Sequence, residues 1–144
     1  MKNPENIRDL EKQAAVFLHL GGAAEQKHDF EAAVTFYRRA IALEPTRLDV
    51  WYFAHNNLGF SLNQLGRFSD GEIFCQDAIR IDPSRPNGHK NLGLSLAGQG
   101  LFPAAAQASD TDEVCVRRSL QCAATRPAAI TVANTICANG SHIG

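Results

Sequence analysis

Phe53, Asn56, Phe60 and Asn63 recur at three- and four-residue spacing, which places two rings and two carboxamides on one face of a helix. That combination suits an extended peptide. Asparagine can donate to and accept from a peptide backbone together, and phenylalanine offers apolar surface for alternate side chains. The chemistry implied is recognition, not bond-making. The same stretch carries a second stripe nearly opposite the first, formed by Trp51, His55, Leu58, Leu62 and Leu65. A surface helix of a globular protein normally buries one stripe and solvates the other. Two stripes with rings therefore call for two partners, one in the core and one elsewhere.

Other reactive constellations are absent from the sequence. It has no P-loop, G-x-S-x-G, H-E-x-x-H or G-x-G-x-x-G motif, and no nucleophile stands in an evident arrangement with a base. The expectation is no enzyme, no cofactor and no metal. His55 and His89 sit in equivalent contexts but lack a carboxylate at helical spacing, so they read as packed, half-buried histidines standing in for aromatics. Cys75, Cys115, Cys122 and Cys137 form no C-x-x-C pair and read as free thiols in small core sites. Arg38-Arg39 and Arg117-Arg118 read as solvated faces.

With 14 basic and 15 acidic residues in 144, the net charge is -1, which argues against a general nucleic-acid binder. The N-terminus "MKNPENIRDLEKQ" is charged where a secretory signal needs an apolar core. No apolar run approaches the ~20 residues that span a bilayer. These features lead to the expectation of one soluble cytoplasmic domain with no membrane partner.

The elements that must position the stripe emerge from an internal repeat. Leu-Gly occurs at Leu20-Gly21, Leu58-Gly59 and Leu92-Gly93, at Gly-to-Gly intervals of 38 and 34 residues. A phenylalanine follows nine residues after each glycine, at Phe30, Phe68 and Phe102. The first two copies also share Ala40-Ile41 with Ala78-Ile79, and Glu44-Pro45 with Asp82-Pro83. Each glycine removes a side chain where a paired helix must approach closely. The polar stretches "QKHD", "QLGR" and "GQGL" read as turns, and the prolines as boundaries between units. Four extra residues between the first two copies are about one helical turn, so the second unit's first helix is expected to start early, near Leu48 or Asp49.

This pattern resembles the tetratricopeptide repeat, whose signature is W-x2-L-G-x2-Y, then A-x3-F, then P. The first unit supplies Phe17, Leu20-Gly21, Ala24, Ala33, Tyr37 and Pro45. The second supplies His55, Leu58-Gly59, Leu62, Gly71, Cys75 and Pro83. Gly71 stands where alanine is usual. In the third unit Ala105 and Ser109 follow, but no proline arrives on schedule. The resemblance implies an all-α fold: a right-handed stack of antiparallel helix pairs, an α-solenoid. Its units would be about 14–47, 48–85 and 86–127, with a tail at 128–144 as C-terminal cap.

In such a stack the first helix of each unit lines the concave side. The resemblance thus implies a peptide-binding groove of Phe53, Asn56, Phe60 and Asn63, continued by Asn87, Lys90 and Leu94 of the third unit. The matching places in the first unit are Ala15, Leu18, Gly22 and Glu25. A carboxylate clamp of the kind that holds acidic chaperone tails would need Lys and Asn where Leu18 and Gly22 stand, Asn at Asn57, and basic residues where Asn87 and Asn91 stand. One match in five is not a clamp. The function implied is a non-catalytic protein-interaction scaffold for a peptide or partner helix. The alternative is a self-association module, a homodimer included, whose groove is covered by a second subunit or by its own tail.

After Ala106 the repeat pattern stops. The segment from Thr125 to Ala138 carries Val132, Ala133 and Ile136 at helical spacing and reads as a helix packed on the third unit. A Cys/His role for Cys115, Cys122, Cys137 and His142 is a weaker reading of the same tail.

Overall fold

The computed structural model describes residues 3–109, all six of whose regular elements are helices. In order they are α1 (Pro4–Gln26), α2 (Phe30–Ala42), α3 (Leu48–Gln64), α4 (Phe68–Ile81), α5 (Pro86–Gly98) and α6 (Phe102–Ser109). The three short polar turns fall where the sequence puts them, so α1–α2, α3–α4 and α5–α6 form hairpins. Each helix packs on the next, and α1 touches α3 as α3 touches α5. The result is a helical stack. The expected cap at Thr125–Ala138, the tail cysteines and His142 lie outside the described residues.

Local sequence accounts for the boundaries. Asn3 caps α1 by accepting from the Glu5 amide, and Pro4 opens the helix where its missing N–H costs nothing. This start lies ten residues before the first repeat unit. Asp29 caps α2 by accepting from the Ala32 amide at 3.1 Å. The α1–α2, α3–α4 and α5–α6 turns each pass through a left-handed residue at the same repeat position: His28, Gly66 and Gly100. α3 begins at Leu48, one turn early, as the four extra residues require.

The core is formed by one face of each helix. Ala24, Ala33, Val34, Tyr37, Leu58 and Leu62 form a buried cluster, with Leu18, Phe36 and Phe74 packed against it. The repeat glycines let the hairpins close. A Cβ on Gly21 would stand 2.3 Å from the Tyr37 ring, so the largest buried ring of the first unit lies directly on that glycine. At the α3–α4 crossing, a Cβ on Gly59 would meet the Cys75 sulfur at 2.6 Å, and one on Gly71 would meet Asn63 Oδ1 at 2.3 Å. Gly71 is therefore smaller than the usual alanine because Asn63 fills its space. Cys75 is buried and reduced, and burial, opposed by its Ser95 contact, pushes its thiol up to about 11. It packs and does not react.

One long-range contact joins the N-terminal turns to the second unit. No side chain of α3's own N-cap residue, Arg47, closes that helix end. Instead Glu11 Oε1, from α1, accepts from the Thr46 amide, from Thr46 Oγ1 at 2.7 Å and from the Arg47 amide at 3.2 Å. Burial raises the Glu11 carboxyl pKa, but the Thr46 and Arg47 bonds and the Arg47 charge outweigh it, and the net shift is downward. A carboxyl whose folded pKa is depressed stabilises the fold above its unfolded value of about 4.3. That contribution is lost as pH falls through the folded pKa. Glu11→Ala is expected to cost about 0.5–2 kcal/mol at pH 7, toward the lower end because solvent screens the group. Urea melts from pH 7 to pH 3 check this. The gap between wild type and variant should narrow at the acid end, and a pH-independent gap would show that the carboxylate charge contributes nothing.

Candidate functional site

The stripe that opened the sequence analysis splits into two parts in the structure. Asn56 and Asn63 are 4% and 6% exposed, held between α3 and α5. Asn91 Nδ2 donates to Asn56 Oδ1 at 3.0 Å, and Asn63 Nδ2 donates to the Asn91 carbonyl at 3.0 Å. Ser95 Oγ donates to Asn63 Oδ1 at 2.9 Å. Asn56 Nδ2 in turn donates to Asn57 Oδ1 at 2.9 Å. The carboxamides thus join the second unit to the third. Buried polar groups must be bonded, and here they are.

Phe53 and Phe60 remain half-buried, while Asn87, Lys90 and Leu94 of α5 are exposed, Leu94 by 43%. Phe60 meets Phe30 edge-on, with centroids 6.3 Å apart. Phe53 lies beside Tyr52, and the Arg85 guanidinium stands 4.9 Å from the centroid of each ring. Arg85 is held there by a 2.8 Å bond from its Nε to Asp82 Oδ2. Tyr52 itself is buried, and its hydroxyl accepts from the Gly88 amide at 3.0 Å, which fixes the start of α5. Cation–π contact of this kind presents a positive charge beside the apolar surface.

Sequence reasoning did not find Arg85, which sits in the turn before α5, outside any helical stripe. It also passed over Ser61 and Ser95. Their signal was available, since each stands two residues after a repeat glycine. The histidines are packed: His55 is buried against Trp51 and Phe74 with its Nδ1 2.8 Å from the Trp51 carbonyl, and half-buried His89 reaches the Pro83 carbonyl. Among the described residues no three His, Cys, Asp or Glu side chains are grouped to hold a metal ion. No described helix is long and apolar enough to cross a membrane.

Comparison with known proteins bears on the first helix pair directly. The tetratricopeptide-repeat family model matches residues 14–47. There the chain carries a tetratricopeptide repeat. It is 28% identical over 107 residues to the photosystem I assembly protein Ycf3 of Prochlorococcus marinus, covering 74% of this chain. Over 108 residues, 75% of the chain, it is 29% identical to human tetratricopeptide repeat protein 7B. Over 92 residues, 62% of the chain, it is 30% identical to human DnaJ homolog subfamily C member 7. The matches span 60%, 12% and 18% of those three proteins, respectively. A tetratricopeptide-repeat chain is a protein-interaction module, and its functional surface is to be sought on helix faces that the stack leaves open.

Proposed function

We propose that the chain binds an extended peptide or a helix of a partner protein along the concave side of its stack, without catalysis, as a cytoplasmic scaffold. The observation that carries this reading is the division of the stripe. Asn56 and Asn63 are tied into the α3–α5 contact, whereas Phe53, Phe60, Asn87, Lys90 and Leu94 keep accessible surface along the row of first helices. In this reading the asparagines hold the surface in shape, and the rings, Leu94 and Lys90 meet the partner. Apolar surface with a few placed polar groups is the usual composition of a binding site.

The test uses residues whose loss leaves the core intact. Lys90→Ala with Leu94→Ala is expected to lower the partner's affinity about tenfold or more, a difference near 1.4 kcal/mol. The same double variant should keep its stability within about 0.5 kcal/mol, as exposed substitutions do. Affinity chromatography followed by calorimetry on the captured partner measures the first, and a thermal melt the second. Unchanged affinity would overturn the groove reading. A second reading draws on the exposed Leu101 and Phe102 at the start of α6: a second copy of the chain covers the groove. Light scattering would then give a dimer mass that Leu94→Ala reduces to that of the monomer.

A further inference from the structure

The two junctions between successive units use the same positions but differ in charge. At the second junction Asn63, Ser95, Asn91 and Asn56 satisfy one another as neutral groups. At the first junction the corresponding places hold Glu25, Ser61, Asn57 and Leu18. The serine bond is conserved in geometry, with Ser61 Oγ donating to Glu25 Oε1 at 2.8 Å against 2.9 Å from Ser95 to Asn63. The amide donor of Asn63 has no counterpart in a carboxylate. Glu25 is half-buried, and none of the ion pairs among the described residues involves it. Burial raises its carboxyl pKa, and the Ser61 bond and the facing Tyr37 hydroxyl only partly oppose this.

A second group at the same place is also incomplete. Tyr37 is fully buried, and its hydroxyl has no hydrogen bond of ordinary geometry, although it faces the Glu25 carboxylate and the Asn57 amide. An unpartnered buried polar atom is costly. Its repeat counterpart, Cys75, ends in a thiol against Ser95 and carries no such cost. Alongside, α1 has a depression of about 380 Å³ lined by Ala15, Leu18, His19, Gly22, Ala23 and Gln26. Gly22 opens it where the second unit has Phe60, and its missing Cβ would lie 4.0 Å from the Tyr37 hydroxyl.

The geometry points to Glu25 and the Tyr37 hydroxyl as the receptor for a lysine ammonium of the bound peptide, with the lysine's aliphatic stem lying in the α1 depression. This rests on the groove reading and names the chemistry of its partner. Lysine carries an apolar stem and a compact cation with three donors, which match the small-residue floor, the carboxylate and the unpaired oxygen. Arginine fits less well, because its planar guanidinium is wider than the compact ammonium of lysine.

Titration of the full 144-residue chain with Nα-acetyl-lysine amide, followed by NMR, tests the site. Nα-acetyl-norleucine amide, of nearly the same shape without the charge, is the control. Saturable shifts at the Gly22, Glu25 and Ser61 amides are expected with the lysine probe. They should weaken about tenfold, near 1.4 kcal/mol, with the norleucine probe or in Glu25→Gln. The glutamine variant keeps an acceptor for Ser61, as Asn63 does for Ser95, and a thermal melt verifies its fold. Tyr37→Phe is a second variant and should weaken the lysine probe but not the norleucine probe. Equal responses to both probes, no response to lysine at tens of millimolar, or undiminished lysine binding in Glu25→Gln would overturn the ammonium site. Equal responses would still leave the groove reading standing, whereas unchanged partner affinity in the Lys90/Leu94 variant removes that reading independently.

Discussion

Leucine in place of Gly59 is expected to lower the melting temperature more than any other single substitution on the α3–α4 crossing. Even a methyl group there meets three obstacles: the Cys75 sulfur at 2.6 Å, the Gly71 carbonyl at 3.1 Å and the Cys75 amide nitrogen at 3.2 Å. Two of the three are backbone atoms, which a rotamer change cannot move aside. The helices must separate, and Gly71 then leaves Asn63, which bridges to Asn91 and Ser95 in the next unit. Overpacking of this kind costs about 1–3 kcal/mol, occasionally more. At about 4 °C per kcal/mol, where the ranges for shorter and longer domains meet, Gly59→Ala should fall at the low end of that cost of about 1–3 kcal/mol and Gly59→Leu beyond it. Circular dichroism melts of both variants measure the effect. A Gly59→Leu protein that melts with the wild type would mean that α3 and α4 do not cross at the repeat glycine.

Features that depend on spacing within the chain were legible before the structure. Leu-Gly, the phenylalanine nine residues on, and the prolines marked the hairpins, and an insertion of one helical turn put the start of α3 near Leu48 or Asp49. Features that depend on what lies across an interface were not. A stripe of Phe53, Asn56, Phe60 and Asn63 reads the same whether its carboxamides meet a ligand or the next helix, because both offer amides and carbonyls. Only the positions of Asn91 and Ser95 distinguish the two. Glu11 capping α3 joins residues 35 apart in sequence, and no local pattern announces it. Gly71 reads in the sequence only as a glycine where alanine is usual. It is the space that Asn63 occupies.

Tyr37 carries the second large effect, and two substitutions there separate its ring from its hydroxyl. The ring is fully buried on Gly21 within the cluster that includes Leu58 and Leu62. Tyr37→Ala would leave an aromatic-sized void that neighbouring helices cannot fill without losing their own contacts, so a loss of about 3–5 kcal/mol is expected, as for other large aromatic truncations. Tyr37→Phe keeps the ring and removes an oxygen that gains no hydrogen bond of ordinary geometry. Burial, together with the nearby Glu25 charge, pushes the phenol's pKa upward, so the group stays neutral across the range where the chain is folded. A neutral hydroxyl still loses its water on burial, and deleting an unsatisfied one relieves a cost of about 1–3 kcal/mol or, if Glu25 and Asn57 offset part of it, leaves stability unchanged. Urea unfolding at pH 7 should therefore rank the proteins with Tyr37→Phe at or above wild type and Tyr37→Ala far below. A Tyr37→Phe variant weaker than wild type by more than about 1 kcal/mol, the worth of an ordinary hydrogen bond, would show that the hydroxyl is already paired inside the fold and has nothing left to offer a ligand at Glu25.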